Sequence, residues 1–452
     1  MNQALKNYLA SIKNSNIHIV GLASTECSQI ALFLHKYQIK NVTIHQNSHS
    51  TKLEQEIKRT HFHLTDTELK QIKSLPYKIH FQDSYLQDID QADIIFVPQS
   101  WYLYEANQKL KNHQFILQSI TQLYFTLSKA SIIGITGTNG KTTTAFATAH
   151  ILSAHPTKKL YFTGNDRENI QCLLDIENHT PNDLFLLEIS NRQLHFPLTR
   201  APHIAAITNI TPQHLHEYSS FIEYKHVKQA ITKNQTKQDL LIISAEDEHS
   251  QSISTKAKVI KIDSQQNSHP ISPKDIPLKG VHNLLNLRFA AQIAIECGMD
   301  LDTIKKQITT FKGCTKRQEI VAQKNGITYI NDTSSTSDIS TIIALKSFPN
   351  AIFIMGGNPH GGCDLEKVAV HLNTKFLILL ESPLAQKLSN LIQKNHPHIN
   401  FTITQNLNQA MKQARLKATS GDQIVISPCA EYYVYFRKKV ADHEFFNHFA
   451  KK

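Results

Sequence analysis

Ile132-Ile-Gly-Ile-Thr-Gly-Thr-Asn-Gly-Lys-Thr-Thr143 carries an apolar β-branched run straight into a glycine-rich loop that ends in Lys-Thr-Thr. The run 132–135 predicts a strand, and 144–152 predicts a helix. A strand leading in and a helix leading out is the setting a phosphate loop needs. Gly137 and Gly140 let backbone N–H groups come close to phosphates, and the helix N-terminus adds its positive dipole end. Lys141 can neutralise β- and γ-phosphates, and the Thr142 hydroxyl can ligate Mg²⁺. Thr138, Asn139 and Thr143 complete the candidate loop. The strict G-x-x-x-x-G-K-[ST] spacing is not met: Ile135 stands at the first glycine, and Gly134 is one residue early.

Outward from this stretch, strand and helix patterns alternate along the whole chain. On the N-terminal side, 17–22, 41–44, 79–81 and 92–97 read as strands, and 29–37 has helical spacing. The first turn, Gly21-Leu-Ala-Ser-Thr-Glu26, lacks the G-x-G-x-x-G dinucleotide fingerprint. On the C-terminal side, 160–163, 184–187, 204–207 and 240–243 read as strands, 264–279 as a polar surface loop, and 282–296 as a helix. A third block from Cys314 has strands at 327–330, 351–355, 376–380 and 423–426. At roughly 150 residues per domain, 452 residues suggest about three domains. The expected fold is α/β in three domains. These are a Rossmann-like N-terminal domain (1–113), a central P-loop ATPase-like parallel-sheet domain (114–313) and a Rossmann-like C-terminal domain (314–452).

Composition narrows the class. Forty per cent hydrophobic and 19% charged residues place the chain among globular proteins, away from disorder. No apolar stretch reaches the roughly 18 residues of a membrane span, and the N-terminus lacks a signal-peptide core. The net charge of +11 favours anionic partners, but it is spread out, with eight Arg among 48 basic residues, so nucleic acid is not expected. The six cysteines form no Cys-x-x-Cys pair, which fits a reducing, cytoplasmic compartment rather than a zinc ribbon or disulfide framework.

Two further segments carry chemistry. Leu186-Leu-Glu-Ile-Ser-Asn-Arg-Gln-Leu194 puts Glu188 at a strand end, where it can hold Mg²⁺ or simply be a satisfied polar terminus. Thr208-Asn-Ile-Thr-Pro-Gln-His-Leu215 offers His214 as a metal ligand or a structural histidine, and Asn209 as an orienting group. Lys228, taken alone, reads as a solvated helix face.

Together, T-G-T-N-G-K-T, L-E-x-S-x-x-Q-L and T-N-I-T-P-x-H-L, with a lysine fourteen residues after the histidine, resemble the Mur ligases. Further segments follow in the family's order: Leu278-Lys-Gly-Val-His-Asn-Leu-Leu-Asn286, Phe311-Lys-Gly-Cys-Thr-Lys-Arg317, Tyr329-Ile-Asn-Asp-Thr333 and Ser427-Pro428. The resemblance spans about residues 130 to 440, with a weaker N-terminal match, and is greatest to the glutamate-adding type. It implies an ATP-dependent amide ligase that adds D-glutamate to UDP-N-acetylmuramoyl-L-alanine through an acyl phosphate, in peptidoglycan precursor synthesis.

The resemblance also implies roles. Lys141 and Thr142 meet ATP phosphates and Mg²⁺, Glu188 ligates one Mg²⁺, and His214 with a carbamylated Lys228 holds a second. Lys141, His214 and Lys228 are the implied catalytic residues. Asn283 and Asn286 flank adenine, and Arg317 and Asp332 serve the γ-phosphate and ribose. Ser24 and Thr25 in the uridine-diphosphate turn, Asn165, His360, Ser427 and Tyr432 contact substrate. The N-terminal domain is expected to hold the UDP substrate and the C-terminal domain the amino acid, in a monomer whose third domain closes over the site.

The sequence departs from the family at Gln213 (usually Asp), Ser334 and His360 (usually Lys), and Tyr432 and Val434 (usually Ser and Asp). The ATP half is intact and the amino-acid half altered, so L-glutamate or another acceptor is an alternative. A folylpolyglutamate-type synthetase and a non-catalytic ATP-binding homologue are the others.

Overall fold

The computed structural model describes residues 3–61, 64–165, 173, 175–213, 217–265, 268–359, 363–430, 447 and 450–451. Their strands form three sheets. The first contains β1 (Ile17–Val20), β2 (Val42–Gln46), β3 (Lys78–Phe81), β4 (Ile94–Phe96) and β5 (Leu117–Gln118), in the order β3-β2-β1-β4-β5. Every pairing in it is parallel. The last strand of this sheet is the short Leu117–Gln118.

The second sheet contains β6 (Ser131–Thr136), β7 (Leu160–Gly164), β8 (Leu184–Glu188), β9 (Ile204–Ile207), β10 (Leu240–Ser244) and β11 (Lys258–Ile262). Its order is β11-β10-β9-β6-β8-β7, again all parallel. The third contains β12 (Glu319–Lys324), β13 (Ile327–Asn331), β14 (Ile352–Met355), β15 (Phe376–Leu380), β16 (Phe401–Thr404) and β17 (Gln423–Ile426). Its order is β12-β13-β17-β14-β15-β16, with only the β12–β13 pair antiparallel. The chain divides into two compact units, Met1–Pro270 with Leu285–Gln307, and Ile271–Leu284 with Ile308–Lys452. The first two sheets lie in the first unit and the third sheet in the second.

The central strands are the ones the apolar runs predict. β1, β8, β9 and β10 are buried at every residue, as parallel strands covered by helices on both faces must be. β11, β12 and β16 were not expected from the sequence. They are sheet edges, and Lys258, Lys261, Glu319 and Lys324 interrupt their apolar pattern. An edge strand has one neighbour, and charge on it deters pairing with another chain.

Two strands sit where the winding direction reverses. β1 lies between β2 and β4, and β6 lies between β8 and β9. Ligands of open α/β sheets collect outside the carboxyl ends of strands at such points. The helix after β1 runs Thr25–Lys36 and starts four residues earlier than its apolar spacing predicts. The Ser24 side chain, which accepts from the Cys27 N–H at 3.2 Å, extends it.

Candidate active site

The loop leaving β6 opens into the helix Lys141–Leu152 through Gly140, whose φ is +84° and which offers no side-chain cap. Gly137 has φ +148°, and a Cβ there would collide with the Thr208 hydroxyl. A Cβ on Gly140 would collide with the Asn286 side-chain oxygen. Both positions therefore need glycine for backbone conformation and for close approach. Gly134, the near-miss of the spacing rule, has another use. It lies within β6, where a Cβ would press at 3.1 Å on Pro202 and Ile231.

The segment after β9 clasps this loop. Thr138 N–H donates to the Asn209 carbonyl (2.8 Å), and Asn139 N–H to the Asn209 side-chain oxygen (3.0 Å). The Thr208 hydroxyl and Asn209 amide both donate to the Asn139 carbonyl, at 2.6 and 3.0 Å. The Thr138 hydroxyl accepts from Thr211 N–H (2.9 Å) and lies 3.1 Å from the Tyr224 hydroxyl. Lys141 Nζ donates back to the Thr138 carbonyl at 2.9 Å. The Thr144 hydroxyl reaches Asn286 Oδ1 at 3.4 Å, tying the helix Val281–Glu296 to the loop. The loop is thus braced by hydrogen bonds from the segment after β9 and from its own lysine. The sequence marks Asn209 as an orienting group and gives no such signal for Thr208 or Tyr224. Tyr224 is four residues before Lys228, on the same helix face, which is the spacing that could have found it.

Glu188 ends β8 and is buried. Its Oε1 accepts from the Thr142 hydroxyl and the Asn165 amide, each at 3.2 Å, while Oε2 is buried without a hydrogen-bond partner. Gly164 makes room: at φ +132° it lies where a Cβ would strike the Glu188 backbone, and Asn165 N–H donates to the Glu188 carbonyl at 2.8 Å. The structure thus brings the side chains of Thr142 and Asn165 to one carboxylate oxygen of Glu188.

Lys228 is not a solvated face. It is fully buried, with Nζ 5.3 Å from the Tyr224 ring centre and no hydrogen-bond partner among the described residues. Burial drives its pKa well below the usual lysine range, and the Lys141 cation adds to this, while Glu188 opposes it. An ammonium taken from water without a partner costs several kcal/mol, which favours the uncharged amine.

The second unit places its own group. Asp332 follows β13 and is buried; Ser427, after β17, donates to its Oδ2 at 2.8 Å, and Gln318 N–H to its Oδ1 at 3.1 Å. Burial pushes the Asp332 carboxyl up to about 6, opposed by the Ser335 and Ser427 hydroxyls, the Gln318 N–H and the Arg317 charge. Arg317 sits between two non-glycine residues with left-handed backbone, Lys316 (φ 63°) and Gln318 (φ 51°). Asn283 is buried and donates to the Lys279 carbonyl at 2.7 Å.

In the first sheet, the Ser24 hydroxyl donates to the Gly21 carbonyl (2.8 Å), and the Thr25 hydroxyl to the Thr60 carbonyl (3.2 Å). His214, His360 and Tyr432 lie outside the described residues. Among the described residues, no three His, Cys, Asp or Glu side chains are grouped to hold a metal ion. The donors at Glu188 and Thr142 nevertheless fit Mg²⁺, which takes few protein oxygens and keeps waters and phosphate oxygens for the rest. No helix among the described residues is long and apolar enough to cross a membrane.

A glycine loop between a parallel strand and an uncapped helix, clasped from the next strand and facing a buried carboxylate, defines the phosphate-loop class of α/β proteins. The Mur ligase middle domain family matches residues 135–294. The UDP-N-acetylmuramoylalanine–D-glutamate ligase of Clostridioides difficile (strain 630) is 30% identical over 404 residues, covering 84% of this chain and 88% of that protein. The ligase of the same description from Listeria monocytogenes serotype 4b (strain F2365) is 32% identical, covering 70% and 72%. The fold is shared with the UDP-N-acetylmuramate-alanine ligase of Thermotoga maritima (TM-score 0.59, 16% identity, 97% of this chain and 98% of that one). It is shared too with a MurF ligase of Thermotoga maritima solved with ADP (TM-score 0.57, 14% identity, 80% and 91%). The chain belongs to the Mur ligase family.

Proposed function

We propose that this protein is an ATP-dependent ligase that joins D-glutamate to UDP-N-acetylmuramoyl-L-alanine, a step of peptidoglycan precursor synthesis. The observation that carries the reading is the phosphate loop 136–143, held against the orphaned Glu188 carboxylate oxygen beside the buried Lys228 amine. The likeness to D-glutamate ligases over 84% and 70% of this chain supports the substrate pair.

A carboxylate does not react with an amine in water. The L-alanine carboxylate attacks the γ-phosphorus of ATP, the bond to ADP breaks, and an acyl phosphate forms. The amine of D-glutamate then attacks the acyl carbon, and phosphate leaves. Lys141 and the loop N–H groups take the β- and γ-phosphates, and Asn286 packs against the same loop. Glu188 and Thr142 would hold Mg²⁺, which supplies charge neutralisation between the two anions. The neutral Lys228 amine is the form that adds CO₂. The resulting carbamate is an anionic oxygen ligand and, with His214, suits a second Mg²⁺. Arg317, Asp332, Asn283, Ser427, His360 and Tyr432 serve ATP and the incoming amino acid in this reading, and Ser24, Thr25 and Asn165 the UDP substrate. The division at 113 and 313, a monomeric state and a cytoplasmic location belong to the same proposal.

Phosphate release with ATP, Mg²⁺ and UDP-N-acetylmuramoyl-L-alanine tests it, across a panel of amino acids. D-Glutamate alone is expected to stimulate. Stimulation by L-glutamate or another amino acid, which Ser334 and His360 in place of lysines favour, would keep the chemistry and change the acceptor. No stimulation by any would overturn the reading. Lys228→Ala is expected to lose activity by about 10²-fold or more, and to recover part of it with added acetate. A wild-type rate in that variant removes the carbamate.

A further inference from the structure

In the second unit, two cysteines distant in sequence meet. Cys363 lies just before the helix Leu365–Val370, and Cys429 follows Ser427-Pro428 after β17; their sulfurs are 4.0 Å apart. β14 and β17 are paired neighbours, so the two chain segments leave the sheet side by side. Their backbones are anchored. Cys429 N–H donates to the Ser335 carbonyl at 3.0 Å, Gly356 N–H to the Pro428 carbonyl at 3.2 Å, and Asp364 N–H to Asp338 Oδ2 at 3.3 Å. Cys429 has a left-handed backbone, φ 63°, unusual for a side chain with a Cβ, and that conformation sets it opposite Cys363.

We propose that Cys363 and Cys429 are a reversible dithiol–disulfide pair, oxidised by a hydroperoxide, that staples the segment after β14 to the segment after β17. The two sulfurs differ in the way such a pair requires. Cys363 is half-buried, and the hydrogen bond with the Cys429 sulfur lowers its thiol pKa, against burial and the Asp338 and Asp364 carboxylates. Cys429 is buried, and the shared hydrogen bond, burial and the Cys363 charge push it well up. The accessible sulfur is thus the nucleophile and the buried one the resolving thiol. By contrast, burial holds the Cys297 thiol at about 12 and pushes Cys27 higher still.

The chemistry balances with hydrogen peroxide as oxidant. The Cys363 thiolate attacks one peroxide oxygen, the O–O bond breaks, and the departing hydroxide takes a proton to become water. Cys363 is then a sulfenic acid. The Cys429 sulfur attacks that sulfur, the S–O bond breaks, and the oxygen leaves with the Cys429 proton as a second water. The two thiols have lost two electrons, and the peroxide has gained them. Closing the pair brings the sulfurs from 4.0 Å to about 2.05 Å.

On the ligase reading, on which only the next consequence rests, these segments border the amino-acid side of the reaction, and stapling them slows turnover. The test uses the full-length protein, reduced and then exposed to hydrogen peroxide, with peptide mass mapping under non-reducing conditions. A linked Cys363–Cys429 peptide that is two hydrogens lighter, lost with dithiothreitol and absent from Cys363→Ser, is expected. Thiols left intact, or Cys363 carried to sulfinic acid without a link, would overturn the proposal. In parallel, oxidised wild type should release phosphate on the order of tenfold more slowly than reduced, while Cys363→Ser keeps its own untreated rate. A link with no change in rate overturns the switch and leaves the modification. If the reduced protein itself releases no phosphate, the ligase reading fails, and the mass map still decides the pair.

Discussion

The helices after β1 and β6 leave equivalent switch points of two parallel sheets, and they use their N-termini in opposite ways. After β1, Ser24 folds its hydroxyl over the first turn and takes the Cys27 N–H for itself. After β6, Gly140 has no side chain to do so, and the helix Lys141–Leu152 starts without a side-chain cap. The glycines differ in the same sense. A Cβ on Gly21 would meet nothing nearer than Pro98 at 3.7 Å, whereas one on Gly137 would run into Thr208. One terminus carries a side-chain cap of its own; the other, in the ligase reading, is where a phosphate is taken.

The largest expected effect breaks the open terminus. Lys141→Ala should reduce ATP-dependent phosphate release by about 10³-fold with the thermal midpoint nearly unchanged, because its side chain is only part-buried at the loop and not in the core. A variant that retained most of the wild-type rate would remove the phosphate loop from the chemistry. Next, Gly137→Ala should destabilise the protein by about 2–3 kcal/mol, adding a collision to a strained φ, while Gly21→Ala should cost only about 1 kcal/mol, the φ penalty alone. Equal losses in chemical denaturation would erase the contrast.

A pH test sharpens it from the first sheet. His18, His45 and His80 lie on β1, β2 and β3, with His18 Nδ1 2.8 Å from His45 Nε2 and the His45 and His80 rings stacked at 5.4 Å. Burial and the neighbouring imidazoles and Lys78 lower His45 to about 3. Burial, His80 and Lys78 lower His18 to about 4, against Asp88. The native state therefore binds fewer protons than the unfolded chain below the free imidazole value of about 6.5. Stability should be level with respect to these groups above that pH and fall as pH drops from about 6.5 toward 4. His45→Gln should flatten that limb in denaturation midpoints measured across the range; an unchanged slope would show that other groups set it. The smallest effect is at the closed terminus, where Ser24→Ala should cost about 1 kcal/mol through the lost cap.

Much of this contrast was legible in the chain. The run 132–143 announces strand, loop and helix because each has a local cause: β-branching, glycine and helical periodicity. Glu188 is legible as a carboxylate ending a wholly apolar strand. The edge strands β11, β12 and β16 were not, because a strand with one partner tolerates charge, as in β11 and β12, or alternating threonine, as in β16, and so carries no apolar run. Lys228 is the sharpest case. Its helix Phe221–Gln229 has a polar, lysine-rich sequence that reads as solvated, yet the side chain turns into the core beside Tyr224. Only the surrounding fold determines which face of such a helix is inside.

The sequence by itself determined the class of fold, the phosphate loop and the order of the motifs, since these rest on short-range patterns. The tertiary structure decided what long-range packing alone can set. Asn209 and Thr208 brace the loop from another strand, Asn165 and Thr142 share one carboxylate oxygen of Glu188, and burial lowers the Lys228 pKa. A hydrogen bond between residues tens of positions apart, or the loss of water around an amine, has no signature in local spacing. Each exists only once the strands have paired and the helices have closed over them.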